Sequence, residues 1–472
     1  MLVPIGACFS VLYLLCSVLG ADVPSGLVLM AMEREGSTDY FIHLDLGSPP
    51  QRQYCKVDMG SSDSFFISGD GASTAAGGDT IVDPSEVPFN PNKSSTLFYY
   101  PATFSFESFY FNVSGVFVAD DISVQTQTSY SPAQGEVTNS STQLTNMTFG
   151  LIEDEGYLLR SCLVGLGLQG GELSINSMEN GNASPVYDNL PILMKKSGLV
   201  NRVSYSVYLS QDVDNPSFIL FGGVDHSRYQ GNLSTVPLVD YATDASLGQQ
   251  FISQPTDFQV VLSGLTVSNG AKSIDVVQDA RIPINVAFGT NTSMLPTSIG
   301  SQIARIFGMV YQNATKSYWM PCDRLGDLTF NFNGALITIP LENFVETQSS
   351  VKLEDGSQGC RVLMDTQEDP IWEIGNGFFG GAYVYVDLES FEVSFAPAIY
   401  GDLEPIYEIA SAGGNITNAT RAPLYDDAGL NNNFNISTNN QTFYSVVAFS
   451  SATKVGAYTP AALLAFIWIL LC

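Results

Sequence analysis

The chain has 472 residues, with 47 Asp and Glu against 18 Lys and Arg, giving a formal net charge of −29. So few basic residues cannot neutralise a phosphate backbone or grip an anionic bilayer, which excludes nucleic acid and a basic-patch membrane contact. A composition of 45% apolar and 11% aromatic residues excludes a disordered chain, and with only His43 and His226 most histidine-dependent catalysis and histidine-rich metal sites are excluded too.

In chain order, residues 5–19 form an apolar run of signal-peptide length closed by Gly20 and Ala21, although no Lys or Arg precedes it. Residues 1–20 are therefore expected to be a secretory signal. Short alternating or apolar runs then recur between turn residues: YFIHLDLG, YCKVDMG, VFVADDISV, SYSVYLS, SFILFGG, LITIPL, AYVYVDL and EVSFAP. Long amphipathic helices are missing, and only 189–196 and 298–307 read as short ones. This pattern predicts an all-β, mainly antiparallel protein. The Gly/Ser/Ala-rich residues 69–78 read as a loop. Residues 401–450 are rich in Asn, Thr, Ser and Gly with little apolar period, and are expected to be a glycosylated stalk. The last twelve residues, AALLAFIWILLC, reach only about 18 Å as a helix, too short for a bilayer core of ~30 Å. Small residues at 450–452, a polar spacer and this tail match a GPI-attachment signal at 451–472. Membrane contact is thus expected through a lipid anchor.

Twelve N-x-S/T sequons accompany these export signals, at Asn92, Asn112, Asn139, Asn146, Asn182, Asn232, Asn291, Asn313, Asn415, Asn418, Asn435 and Asn440. All but Asn291, which is expected to be too enclosed, are candidate glycosylation sites. Of seven cysteines, Cys8, Cys16 and Cys472 lie in the segments expected to be removed. The four that remain imply two disulfides in an oxidising compartment, with three possible pairings. Cys322–Cys360 closes a local loop and leaves Cys55–Cys162, the preferred set.

The stretch YFIHLDLGSPPQRQYCKVDMGSSDSFFIS (residues 40–68) resembles the start of a pepsin-like aspartic protease, in which a strand pair leads into a D-T-G-S-S catalytic loop. The resemblance continues through FNPNKSSTLFYY, SFILFGGVDHSRYQG and WEIGNGFFGGAYVYVDLESFEVSFAP, covering about residues 27–400. Combined with an anchor signal, it points to the fungal yapsin branch. It implies a bilobal all-β fold, with lobes at 21–210 and 211–400 and a D-x-G loop from each meeting at a central cleft. In such enzymes two carboxylates about 3 Å apart share one proton. The ionised one activates a water and the protonated one supports the developing oxyanion. No metal or cofactor is implied.

The second loop departs from that pattern. Aligned on its flanks it reads RIPINVAFGTNTSMLP (residues 281–296): Gly289 and Thr290 keep the Gly-Thr, but Ala287 stands at the Asp position and Phe288 follows it. The first loop keeps Asp58, Gly60, Ser61 and Ser62 but has Met59 for Thr. Neither Met59 nor Phe288 can make the hydroxyl bonds that brace the dyad. The flap stretch FSFESFYFNVSG, including Phe109, Tyr110 and Asn112, lacks the glycines before Gly115 and carries a sequon. A strand at about residues 26–36 begins so soon after the signal that an inhibitory prosegment is expected to be missing. The I-L-G-D motif reads Glu373-Ile374-Gly375-Asn376. The strand SCLVGLG places Cys162 where the family has Gly; running beside the first loop, it would let a Cys55–Cys162 disulfide clamp that loop.

Together these departures predict a monomeric, GPI-anchored, cell-surface or wall pseudoprotease, its cleft kept for a peptide or protein. The competing expectation is an active endopeptidase with Glu373 as a replacement carboxylate facing Asp58.

Overall fold

The computed structural model describes residues 21–36, 39–69, 88–107, 112–131, 136–155, 162–173, 187–211, 216–239, 255–367, 372–427, 429–430, 435–436 and 440–450. The expected signal (1–20), the anchor signal (451–472), most of the 69–78 loop, Phe109, Tyr110 and Asn182 lie outside the described residues.

Alternation builds the strands. Asp327–Phe332 and Ala335–Pro340 each bury every second residue, and they are joined by Asn333-Gly334, both at positive φ (51° and 95°). That is the turn whose twist suits a two-residue hairpin. Strands buried throughout, such as Ser204–Tyr208 and Ala382–Asp387, instead form the centre of the molecule. The two expected helices are present as Leu190–Lys196 and Thr297–Phe307. The second buries Ile299, Ile303, Ala304, Ile306 and Phe307 on one face and stops at Gly308, whose φ of 65° provides the left-handed cap.

One 15-stranded sheet unites the molecule. Its first-lobe part includes the long hairpin Asn112–Ser131/Glu136–Glu155 and the pair Asp39–Leu46/Gln51–Asp58. It continues through Val28–Glu35, Ser217–Phe221, Ser204–Tyr208, Ala382–Asp387, Glu392–Pro397 and Leu233–Pro237. The lobes are therefore stitched by shared strands, and the boundary expected at 210/211 falls between two paired ones. The second lobe adds two five-stranded sheets and a four-stranded one. Both disulfides form in the preferred set, Cys55–Cys162 and Cys322–Cys360.

The stalk expectation is corrected. The described part of 401–450 is a strap laid on the body. Tyr407–Ile409 pairs with Gly223–Asp225, Ala419–Arg421 extends the main sheet beside Leu233–Pro237, and Asn435–Ile436 pairs with Ser273–Gln278. Phe443 and Tyr444 pack on Phe307, and Phe449 on Trp319. Arg324 donates to the carbonyls of Phe307, Gly308 and Ser445, tying strap to helix. The segment escaped detection because its few buried anchors, Ala410, Ile416, Ala422 and Phe449, are irregularly spaced. Backbone pairing to sheet edges supplies the rest and leaves no side-chain period.

Candidate functional site

Asp58 ends the strand Gln51–Asp58, which pairs in parallel with Cys162–Gly165, Cys55 lying directly opposite Cys162. The disulfide thus clamps the strand three residues before the loop. The loop carbonyls and amides are fixed from both sides. Leu166 donates to the Asp58 carbonyl (2.8 Å), Gly167 to the Ser61 carbonyl (2.8 Å) and Gly165 to Ser64 Oγ (3.1 Å). A Cβ at Gly165 or Gly167 would lie 2.3–2.7 Å from backbone oxygens of Asp63 or Ser61, so glycine is required for this approach.

The second lobe repeats the arrangement. The strand Ile282–Val286 pairs in parallel with Trp372–Ile374 and opens into Ala287-Phe288-Gly289-Thr290. Asn376 N donates to the Thr290 carbonyl (2.8 Å) and Gly375 N to Ser293 Oγ (3.0 Å). Thr290 and Ser293 stand three and six residues after Ala287, as Ser61 and Ser64 stand after Asp58. The bond of Gly375 N to Ser293 Oγ matches that of Gly165 N to Ser64 Oγ, six residues after Ala287 and Asp58 respectively. Ala287 is buried and donates its N–H to Ile374 O (3.0 Å).

The loops abut. Met59 N donates to Phe288 O (2.8 Å), and Gly289, at φ 108°, passes so close that a Cβ there would lie 2.9 Å from Asp58 Cα and 3.1 Å from its Oδ1. Asn376 Oδ1 accepts from Gly289 N (2.8 Å). Met59 and Phe288 are both fully buried, the latter with its ring 5.8 Å from Tyr40 and 5.5 Å from Phe379. Phe288 is held at this position by apolar ring contacts.

Asp58 Oδ1 accepts from Gly60 N (2.7 Å). Burial pushes the Asp58 carboxyl above the usual carboxylate range, opposed by Lys56 and by the N–H groups of Gly60 and Ser61. Lys56 is paired with Asp39 (2.8 Å), whose other oxygen accepts from Asn291 Nδ2 (2.9 Å). Asn291, the excepted sequon, thus has its side-chain nitrogen engaged between the lobes.

Glu373 belongs to this neighbourhood. Burial pushes its carboxyl up to about 7, opposed by a hydrogen bond with Thr290 and reinforced by Asp58 and Asp257. Sequence reading flagged Glu373 for its motif position. It missed Ser64 and Ser293, whose signal is an equal offset of six residues after Asp58 and Ala287. It also missed Asp63, which accepts from Tyr187 Oη and Leu173 N (3.0 Å) just behind the first loop.

Among the sequons, Asn92, Asn139, Asn146, Asn232, Asn313, Asn415, Asn418 and Asn440 are exposed; of Asn112 and Asn435 only the backbone is described. Among the described residues no His, Cys, Asp and Glu group is placed to hold a metal, and no helix is long and apolar enough to cross a membrane.

The sequence model of the eukaryotic aspartyl protease family matches residues 39–398. The chain is 26% identical to aspartic proteinase MKC7 of Saccharomyces cerevisiae, over 82% of this chain and 70% of that protein. It is 28% identical to aspartic proteinase yapsin-3 of the same yeast, over 83% and 72%. The acid protease of Saccharomycopsis fibuligera is 29% identical, over 79% and 84%.

Proposed function

Because this chain belongs to the eukaryotic aspartyl protease family, we infer from its departures that it is a yapsin-like pseudoprotease, exported and held at the cell surface or wall by a GPI anchor. This reading is supported by the matched Ser64 Oγ–Gly165 N and Ser293 Oγ–Gly375 N bonds, whose equal offsets align Ala287 with Asp58. With no acid there, Asp58 has no partner to share a proton with, and the coupled titration on which the two-aspartate mechanism depends is lost. Each missing loop hydroxyl bond is worth only about 0.5–1.5 kcal/mol, so packing by Met59 and Phe288 preserves the fold. Holding reacting groups within about 0.5 Å is a stricter demand. The cleft then serves to engage a peptide or protein segment, with the protein acting as a monomer.

The test is cleavage of an unstructured protein by the full chain between pH 3 and 7. The expected outcome is no turnover above that of Asp58→Ala; acid-optimal cleavage that disappears in Asp58→Ala would overturn the reading. Release of the protein from cells by phosphatidylinositol-specific phospholipase C supports the anchor, and retention counts against it. A second reading, acid proteolysis with Glu373 as the missing partner, draws on the raised pKa of Glu373 beside Asp58. Against it, the hydrogen-bond partner of that carboxyl is Thr290.

A further inference from the structure

Register aligns four side chains across the second-lobe sheet. Asn285 pairs with Glu373, Glu373 with Met294, and Met294 with Asp365. Residues directly opposite one another project to the same face of a sheet. On that face Asn285 Oδ1, Glu373 Oε1 and Asp365 Oδ1 are all buried, and none has a hydrogen-bond partner. Three orphaned oxygens in one row is unusual, since buried polar atoms almost always find partners. The row starts at the site itself: Glu373 bonds Thr290, and Thr290 follows the Gly289 that lies against Asp58.

The charges around Glu373 decide what it offers. Asp58 faces it from the first loop and Asp257 from the chain entering Gln259–Leu262. Asp365 lies two strands away, beside Arg361, and burial pushes its carboxyl up to about 6. Lys56 acts on Asp58, and among the described residues the charges acting on Glu373 are those of Asp58 and Asp257. Its carboxyl therefore keeps its proton through the acid range and is a hydrogen-bond donor whose bound acceptor is not supplied by the protein.

Resting on the reading of the cleft as a peptide-engaging surface, we propose that Glu373 takes over ligand contact from the absent second aspartate, donating a hydrogen bond to a backbone carbonyl of an extended peptide laid along the Asn285–Glu373–Asp365 row. An extended backbone presents carbonyls and N–H groups in alternation, so its N–H groups suit the Asn285 oxygen beside the donor and the Asp365 oxygen beyond Met294. Engagement is consequently strongest in acid and fades as Glu373 ionises.

The probe is pepstatin A, an uncleavable statine-containing peptide, titrated calorimetrically into the full chain from pH 5 to 8.5. Expected is an affinity that falls about tenfold or more between pH 7 and 8.5, the limit being tenfold per pH unit for a single proton. Glu373→Gln keeps an N–H donor that cannot titrate, so it should bind throughout with a flattened profile. Glu373→Ala should bind at least tenfold more weakly at pH 5.5, and Asp58→Asn should retain the fall. A pH-independent wild-type affinity, or the same fall in Glu373→Gln, overturns the role of Glu373 while leaving the cleft reading intact. Tighter binding of a lysine-bearing peptide as pH rises overturns it in favour of a cation subsite. No binding by any form at any pH overturns both.

Discussion

Asp63 shows how a single buried acid couples this fold to pH. It is 3% exposed, accepts from Tyr187 Oη and the Leu173 amide, and burial lifts it from 3.8 to about 6 despite those bonds. A carboxyl whose folded pKa is raised favours the folded state fully below the unfolded pKa, and that contribution is lost as pH rises to the folded value. The window here is pH 3.8 to about 6, and a shift of about 2 units corresponds to roughly 3 kcal/mol. Asp63→Asn is expected to remove a loss of that order from the stability profile, measured by urea unfolding at pH 4 and pH 6.5 with disulfides intact. Equal slopes in wild type and variant would refute it. The comparison with wild type matters because Asp365 and Glu373 titrate in neighbouring ranges. Asp63 directly follows the D-x-G-S-S run of residues 58–62, yet nothing local marked it; its partner Tyr187 lies 124 residues away, a distance no local pattern spans.

Among elements, the strand Cys162–Gly165 carries more of the site than its length suggests. It holds the Asp58 strand by a parallel ladder, by the Cys55 disulfide, and by glycines that admit the loop backbone. The disulfide joins residues 107 apart, and closing a loop of that size removes about 4–5 kcal/mol of unfolded-state freedom in the chain-entropy view. The double variant Cys55→Ser/Cys162→Ser is expected to lose about 2–5 kcal/mol and to shift its thermal midpoint down accordingly. A change under about 1 kcal/mol would show that the ladder alone holds the loop. The pairing was legible because both cysteines sit in motifs whose strands are neighbours in the family. The row of Asn285, Glu373 and Asp365 was not, since those residues are separated by 80 or more positions or by a crossover, and only register brings them level.

Across the whole molecule, the strap formed by the described part of residues 401–450 changes what counts as the domain. It covers the edge of the main sheet at Leu233–Pro237 and the edge of a second-lobe sheet at Ser273–Gln278. Exposed edges of this kind recruit other chains. A chain ending at residue 400 is expected to express poorly and aggregate, whereas one ending at residue 450 should remain monomeric in sedimentation; equal behaviour of the two would contradict a structural strap. The all-β architecture was legible from period-two patterning, and the anonymity of the strap follows from its reliance on main-chain pairing.

The shared sheet also has a consequence in time. Ser204–Tyr208 is flanked on one side by Ser217–Phe221 and on the other by Ala382–Asp387. At about 5–20 residues per second the second neighbour emerges on the order of ten seconds or more after the first. Throughout that interval the nascent first lobe carries an unpaired apolar edge, and Asn291 emerges as a sequon in a chain whose lobes have not yet closed. In an exported chain, a glycan added then would occupy the nitrogen that the finished fold gives to Asp39, and the order of synthesis would set enzyme-catalysed glycosylation against docking of the two lobes at a single atom.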